Sequence, residues 1–154
     1  MLKLKQMKIW LCWNYIEVKG KKTKKPVAAG GGATGTNNKY QKTWVTYDEA
    51  MSAKQHMKAD GIGFVIPVGY FFLDIDHQEL TNPFVQMMLK RFSSYAEISP
   101  SGNGLHIYGI ADMKRLPIFR DKDGKQKLDR QFYMKNPNNG VELYIGGLTN
   151  RFAT

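Results

Sequence analysis

The segment Phe71-Phe72-Leu73-Asp74-Ile75-Asp76-His77 decides the fold prediction for this chain. It is an aromatic and aliphatic run that ends in two carboxylates separated by one residue. In a β-strand, residues i and i+2 point to the same face, so the side chains of Asp74 and Asp76 would start roughly 6–7 Å apart. Such a pair repels itself and loses hydration, and a hard divalent cation such as Mg²⁺ or Mn²⁺ relieves both effects. The pattern by itself also fits phosphatases, glycosyltransferases and ordinary strand ends where Asp begins a turn.

The composition limits the class of protein. The chain has 154 residues, enough for one domain with a hydrophobic core. It contains 23 Lys and Arg against 13 Asp and Glu, and the net charge of +10 favours a polyanionic partner. Cys12 is the single cysteine, which excludes an intrachain disulfide and a thiolate zinc site and predicts a reducing cytoplasm. No apolar run approaches the roughly 18–20 residues that span a bilayer, so no membrane partner is expected.

Local patterns predict a mixture of strands and helices. Residues 9–18 are rich in β-formers, and the capping box Thr46-Tyr47-Asp48-Glu49 begins a helix that runs to about Ala59. Asn82-Pro83 begins a second helix that runs to about Ser94. The remaining predicted strands are 61–67, 70–76, 95–98, 105–111, 141–145 and one starting at Arg151.

Three connecting regions carry separate predictions. Residues 20–42, with their lysine run and glycines, are predicted to form a turn and a flexible loop. Val68-Gly69 is predicted to close a tight hairpin that pairs 61–67 with 70–76. Region 112–139 is predicted to hold either a hairpin or a mobile insertion.

Polar residues of three predicted strands fall on one face of a sheet. If the apolar residues that alternate with them face the core, then Asp74, Asp76, His106 and Glu142 point to the opposite face. A helix would cover the apolar face, which leaves the polar face for chemistry. The strand order does not follow from this pattern, so the convergence of the four residues is an expectation.

The segment from Ser99 to His106, Ser-Pro-Ser-Gly-Asn-Gly-Leu-His, has features of a phosphate-binding loop. Gly102 and Gly104 allow backbone N–H groups to approach an oxyanion, and Ser101 adds a hydroxyl donor. His106 can donate a charge-assisted hydrogen bond to a triphosphate. Taken alone, the segment fits an ordinary hairpin loop followed by a half-buried histidine better than a phosphate-binding loop.

Together these motifs resemble the three signature motifs of the archaeo-eukaryotic primase superfamily, and most closely the primase-polymerase domains of phage and plasmid replication proteins. The motifs are Phe72-Leu73-Asp74-Ile75-Asp76-His77, residues 97–109 (Glu-Ile-Ser-Pro-Ser-Gly-Asn-Gly-Leu-His-Ile-Tyr-Gly), Val141-Glu142-Leu143-Tyr144 and Arg151-Phe152-Ala153-Thr154. The N-terminal segments Trp13-Asn14-Tyr15, 20–26, 43–50 and 60–64 are similar to those proteins in the same order. The resemblance therefore spans nearly the whole chain.

The resemblance implies an α+β fold: one primase-polymerase domain, with an N-terminal α/β module over about 1–60 and an RRM-like catalytic core over about 61–154. Residue by residue, it implies metal ligation by Asp74, Asp76 and Glu142, although many relatives have Asp at the third position. It also implies nucleotide binding by four residues of the second motif and contacts to phosphate or template by three basic residues. The nucleotide-binding residues are Ser101, Gly102, Gly104 and His106, and the basic residues are Lys21, Lys24 and Arg151.

The function implied is template-directed nucleotidyl transfer with two divalent cations, Mg²⁺ or Mn²⁺. The expected partners are a single-stranded DNA template, NTP or dNTP, and a helicase in cis or in trans. The chain is expected to be part of a larger replication protein in the cytoplasm of a bacterial or phage-infected cell. The alternative is a non-catalytic module that binds single-stranded nucleic acid. A phosphohydrolase with Asp74 as nucleophile fits less well, because His77-Gln78 stand where such enzymes usually have Gly-Thr.

Overall fold

A computed structural model describes residues 2–129, 135–136 and 140–154. It divides the chain into two units: unit 1 comprises Met1–Val65 and Asn150–Thr154, and unit 2 comprises Ile66–Thr149. The predicted α+β class is confirmed, since both units contain antiparallel sheets and the helices are few. Among the described residues, no helix is both long and apolar enough to cross a membrane.

Unit 1 is built on a four-stranded antiparallel sheet in the order β11-β3-β1-β2. Its elements are α1 (Leu2–Gln6), β1 (Trp10–Val18), β2 (Lys21–Val27), α2 (Tyr47–Met57), β3 (Gly61–Val65) and β11 (Phe152–Ala153), with a 3-10 helix at Asn38–Thr43. The capping box forms as predicted: Thr46 Oγ1 accepts from Glu49 N, and Thr46 N donates to the Glu49 carboxylate.

The two faces of this sheet are covered differently. On one face α2 packs against β1, where Trp10 meets Tyr47 edge-on with ring centroids 4.9 Å apart. On the other face a cluster forms around Leu11, Trp44 and Val65.

Residues 21–27 form an edge strand, so the turn predicted for the lysine run is wrong beyond Gly20. Lys21–Val27 pairs with β1 along its whole length, and Pro26 lies opposite Trp13. An edge strand tolerates proline because one of its sides needs no ladder hydrogen bonds, and its lysines discourage pairing with other chains. Strand propensity is weak in this lysine-rich segment, and the pairing with β1 decides its structure.

The predicted hairpin between 61–67 and 70–76 is also wrong, although the turn itself forms. Tyr70 N donates to Pro67 O at 3.0 Å, and Gly69 adopts a φ of +84°. However, β3 pairs with β1 and β11, whereas β4 (Tyr70–Asp76) pairs with other strands. Each strand has both neighbours supplied from elsewhere in the chain, so the turn joins two different sheets.

Unit 2 is built on a five-stranded antiparallel sheet in the order β5-β6-β4-β10-β9. Its elements are β4, α3 (Pro83–Phe92), β5 (Ala96–Ile98), β6 (Gly104–Ile110), β7 (Ile118–Arg120), β8 (Gln126–Leu128), β9 (Lys135–Asn136) and β10 (Val141–Ile145), with a 3-10 helix at Met113–Arg115. Asn82 caps α3 by accepting from Phe84 N at 2.8 Å. The core cluster of this unit consists of Leu73, Ile75, Val85, Leu105 and Ile107.

Region 112–139 contains a hairpin, which was one of its two predicted forms. Strands β7 and β8 pair in a separate two-stranded sheet, and β9 joins the edge of the main sheet. Residues 130–134 and 137–139 lie outside the described part of the chain.

Candidate functional site

Four ionisable residues form one row across the central strands of unit 2. Asp74 on β4 lies opposite His106 on β6 and, on its other side, opposite Glu142 on β10. Glu97 on β5 lies opposite His106. The neighbouring residue Ile75 packs with α3, so the row lies on the other face of the sheet. We call Glu97, His106, Asp74 and Glu142 the charged row; it brings together three residues that the sequence predicted to share a site.

His106 lies inside the charged row, between two carboxylates. The residue is 3% exposed, and its Nε2 lies 3.4 Å from Asp74 Oδ1 and its Nδ1 lies 3.8 Å from Glu97 Oε1. Burial alone would lower the pKa of His106, but the contacts with Asp74 and Glu97 outweigh it and raise the pKa above its usual value. The site therefore favours an imidazolium held between two anions.

Glu97 is a site residue that the sequence reasoning missed. Its carboxylate accepts hydrogen bonds from Tyr108 Oη at 2.7 Å and from Tyr95 Oη at 2.8 Å. Burial acts to raise its pKa, but the nearby His106 and the hydrogen bonds from Tyr108 and Tyr95 prevail and lower it. The sequence could have indicated this residue, because Glu97 and His106 are equally distant from the tip of the loop between β5 and β6. In a β-hairpin, two such residues lie opposite each other.

Asp76 lies beyond the row, on the same face as Asp74, where negative charge accumulates. Burial is the main cause that raises the pKa of Asp76, and the charge of Asp74 and then that of Glu142 raise it further; His77 and His106 act in the opposite direction without reversing the shift. The Glu142 carboxylate accepts a hydrogen bond from the Tyr144 hydroxyl. The carboxylates of this face therefore repel one another.

The carboxylates of Asp74, Asp76 and Glu142 are chemically suited to bind a divalent cation. Carboxylate oxygens are the donors that Mg²⁺ and Mn²⁺ prefer, and a cation would relieve the repulsion around Asp76. Oδ1 of Asp74 is buried and accepts no hydrogen bond from the described residues, because His106 is at ion-pair distance rather than in hydrogen-bond geometry. As they stand, however, the described residues include no group of three or more His, Cys, Asp or Glu arranged as metal ligands. Joint ligation by Asp74, Asp76 and Glu142 would therefore require side-chain rotation.

The loop between β5 and β6 contains Ser101 and Gly102, two of the residues predicted to bind a nucleotide, and a third, Gly104, begins β6. Ser99 N donates to Gly104 O at 3.0 Å, and Gly102, with a φ of +75°, donates its N–H to Ser99 O at 2.8 Å. A Cβ on Gly104 would lie 2.6 Å from the Ile75 carbonyl oxygen, so β4 leaves room only for glycine. Both glycines therefore have structural reasons to be there, and their role toward a nucleotide remains a prediction.

An open cleft of about 320 Å³ lies beside this loop. It is lined by Gln78, Glu79, Leu80, Thr81, Ile98, Gly102, Asn103 and Gly104. None of these residues belongs to the charged row. The cleft provides solvent access next to the loop at the end of the sheet.

Comparison with known proteins points in the same direction as the motifs. The sequence matches no protein-family model. It is 31% identical over 105 residues to a protein named DNA Primase-polymerase from Nitratiruptor phage NrS-1. This similarity supports the primase-polymerase family. The aligned region covers 64% of this chain but only 14% of the phage protein, so the chain spans a small part of its relative.

The three basic residues predicted to contact nucleic acid all lie in unit 1. Lys21 and Lys24 are on β2, and Arg151 precedes β11 and is exposed. Lys24 Nζ donates to Thr154 Oγ1 at 2.6 Å and lies 5.1 Å from the centroid of the Trp13 ring. Lys21 and Lys24 are separated by an odd number of positions, so they point to opposite faces of β2.

Proposed function

We propose that this chain is a catalytic domain of a primase-polymerase of the archaeo-eukaryotic primase superfamily, and that it performs template-directed nucleotidyl transfer. The charged row carries this proposal, because it brings the residues of three sequence motifs to adjacent positions on one sheet face. The motifs occur in the order of the family, and the similar phage protein is named a DNA primase-polymerase. Synthesis of primers or extension of DNA in phage or plasmid replication is the corresponding biological role.

The topology of unit 2 supports an RRM-like core. The run β4-α3-β5-β6 and the later strand β10 share one sheet, with β4 and β6 in its interior. This arrangement matches the β-α-β-β start and the closing strand of a ferredoxin-like frame, on which RRM modules are built. Between β6 and β10, the described residues form a 3-10 turn, the β7–β8 hairpin and the short strand β9.

In the proposed mechanism, Asp74, Asp76 and Glu142 hold the divalent cations. Two bound Mg²⁺ or Mn²⁺ ions would lower the pKa of the primer 3′-hydroxyl and neutralise charge on the phosphates. His106 supplies a positive charge beside these carboxylates for the incoming triphosphate, and the Ser101 hydroxyl supplies a donor. Glu97 lies beside Nδ1 of the His106 ring, whereas Asp74 lies beside Nε2, and so Glu97 helps to fix the orientation of the ring.

The substrates and partners follow from this activity. The incoming substrate is an NTP or dNTP, and the template is single-stranded DNA bound through basic side chains, with strong dependence on salt. A helicase in cis or in trans would supply that template. The compartment is the cytoplasm of a bacterial or phage-infected cell.

The experiment that tests this function measures nucleotide incorporation on a single-stranded template with Mg²⁺ or Mn²⁺. Asp74→Ala and Asp76→Ala should each abolish incorporation while the circular dichroism spectrum stays unchanged. Asp123→Asn, in the turn between β7 and β8, removes one exposed carboxylate outside the site and should retain activity. Full incorporation by a folded Asp74→Ala/Asp76→Ala protein would overturn the proposal.

A second candidate is a non-catalytic module that binds single-stranded nucleic acid. One observation favours it: within the described ranges, three potential metal ligands are not yet assembled. In this case the protein would bind single-stranded DNA without any metal-dependent binding of nucleotide. Titration of labelled dNTP with and without Mg²⁺ separates the two candidates.

A further inference from the structure

The positive charge of the chain is concentrated in unit 1. By sequence, unit 1 contains 13 Lys and Arg against 4 Asp and Glu, a net charge of +9. Unit 2 contains 10 against 9, a net charge of +1. A polyanion is therefore attracted mainly to unit 1, whereas the carboxylates of the charged row lie in unit 2.

Within unit 1, β1 and β2 place aromatic rings and lysines on the same sheet face. Tyr15 lies opposite Lys24, and Trp13 precedes Tyr15 by two positions. The Trp13 and Tyr15 rings meet edge-on, with centroids 5.0 Å apart. Lys22 Nζ lies 4.0 Å from the centroid of the Tyr15 ring, and Lys24 Nζ lies 5.1 Å from that of Trp13.

Tyr15 is the accessible member of this aromatic pair. It is 36% exposed, whereas Trp13 is buried and donates its Nε1–H to Ile62 O at 2.9 Å. The edge-on contact with Trp13 and the backbone hydrogen bond from Tyr15 N to Asp60 Oδ2, at 2.7 Å, hold Tyr15 in place. A rigid, partly exposed ring flanked by flexible cations is the combination that proteins use to bind single strands.

We propose that this face of β1 and β2 binds single-stranded nucleic acid, with Tyr15 stacking on a base and Lys22 and Lys24 contacting the adjacent phosphates. A base would replace the Lys22 ammonium over the Tyr15 ring, and the ammonium would move to a phosphate. Both lysines are long and lie on the same sheet face as Tyr15, Lys22 over the Tyr15 ring and Lys24 over the Trp13 ring. Contact with a phosphate therefore needs only side-chain rotation, in which Lys24 leaves Thr154 Oγ1. The proposal rests on the proposed function only in taking single-stranded DNA as the partner.

The test is the affinity of the full chain for a fluorescent oligo-dT, measured in EDTA and without nucleotide. Tyr15→Ala should weaken binding about tenfold, the effect of losing one stacked base, and Tyr15→Phe should retain the affinity. Tyr15→Leu keeps an apolar side chain at this position and should lose affinity like Tyr15→Ala. The control Phe119→Ala removes an aromatic ring that is 47% exposed in unit 2 and should bind normally.

The lysines are tested by the dependence of the affinity on salt. Lys22→Gln and Lys24→Gln should each reduce the slope of log K against log salt by roughly 0.7, the value for one phosphate contact with a single strand. Lys25→Gln is the matched control, because it removes the same charge from the same strand but on the opposite face. Its slope should not change.

Three results would overturn the proposal: wild-type affinity in both Tyr15→Ala and Tyr15→Leu, a slope for Lys25→Gln that falls as much as that for Lys24→Gln, or equal affinity for duplex DNA. Because the assay contains neither metal nor nucleotide, it does not depend on catalysis. A protein that binds the oligonucleotide through Tyr15 but incorporates no nucleotide would refute the catalytic proposal alone, so the two failures are distinguishable.

Discussion

Removal of the Glu97 carboxylate tests whether its hydrogen bonds with Tyr95 and Tyr108 stabilise the charged row. In the structure Glu97 accepts from Tyr108 Oη at 2.7 Å, in a partly buried position, and from Tyr95 Oη at 2.8 Å at the surface. A hydrogen bond to a charged group contributes about 1.5–3 kcal/mol, and an exposed one contributes less. Glu97→Ala should therefore lower the free energy of unfolding by about 2–3 kcal/mol. Glu97→Gln keeps an acceptor but loses the charge, so its loss should be about 1 kcal/mol.

Urea unfolding followed by far-UV circular dichroism measures these losses. Tryptophan fluorescence does not suit the purpose, because Trp10, Trp13 and Trp44 all lie in unit 1 whereas Glu97 lies in unit 2. Glu79→Ala removes an exposed glutamate and should change the free energy by less than about 0.5 kcal/mol. If Glu97→Ala unfolds at the same urea concentration as this control, Glu97 does not hold the network.

The pH dependence of the same difference has a definite sign. Folding lowers the pKa of Glu97 from its ordinary value of 4.5, so its stabilising contribution is fully present above pH 4.5. The contribution is lost as the pH falls through the lowered pKa of the folded state. The wild-type protein and Glu97→Gln should therefore differ most near neutral pH and converge in acid. A difference that grows in acid would contradict the assignment of the Tyr108 and Tyr95 hydrogen bonds to an ionised Glu97.

Two further predictions concern unit 1. Gly61→Ala would place a Cβ 2.3 Å from the Trp13 ring. It should therefore destabilise the protein by about 1–3 kcal/mol and shift the tryptophan emission. The control Gly30→Ala, with open space around its Cβ, should leave the stability unchanged. Thr46→Ala removes the hydroxyl of the capping box on α2 and should cost about 1 kcal/mol in thermal or urea unfolding, and Thr81→Ala is an exposed control. Equal stability of Gly61→Ala and Gly30→Ala would show that Trp13 can move away, and an unchanged Thr46→Ala would show that the cap is dispensable.

Local rules were sufficient where a single segment contains its own stabilising contacts. The capping box at Thr46 and the Asn82 cap define helix starts through hydrogen bonds within one turn. The alternation of apolar and polar residues was sufficient to predict which sheet face each side chain of β4 lies on. Ile75 points toward α3, and Asp74 points away from it. These features depend on period and turn chemistry, which are visible in the sequence.

Pairing between distant segments was not predictable in the same way. Lys21–Val27 has little strand propensity of its own and becomes a strand because β1 supplies its hydrogen bonds and the rings of Trp13 and Tyr15 contact its lysines. The Val68-Gly69 turn was recognised, but a turn does not choose the partners of the strands that it joins. Glu97 was missed because its meaning depends on His106, which lies opposite it only after β5 and β6 pair.

The separation of charge between the units is consistent with the two tasks proposed for the chain. A site that gathers three carboxylates for cations repels a polyanionic template, unless positive charge is supplied from elsewhere. Most of the positive charge lies in unit 1 and unit 2 is nearly neutral, so the metal binding proposed for Asp74, Asp76 and Glu142 would face little competition from the net charge of unit 2. Template binding should therefore weaken steeply with salt through unit 1, whereas nucleotide and metal binding in unit 2 should respond to salt much less. If both affinities had the same salt dependence, the two tasks would not be divided in this way.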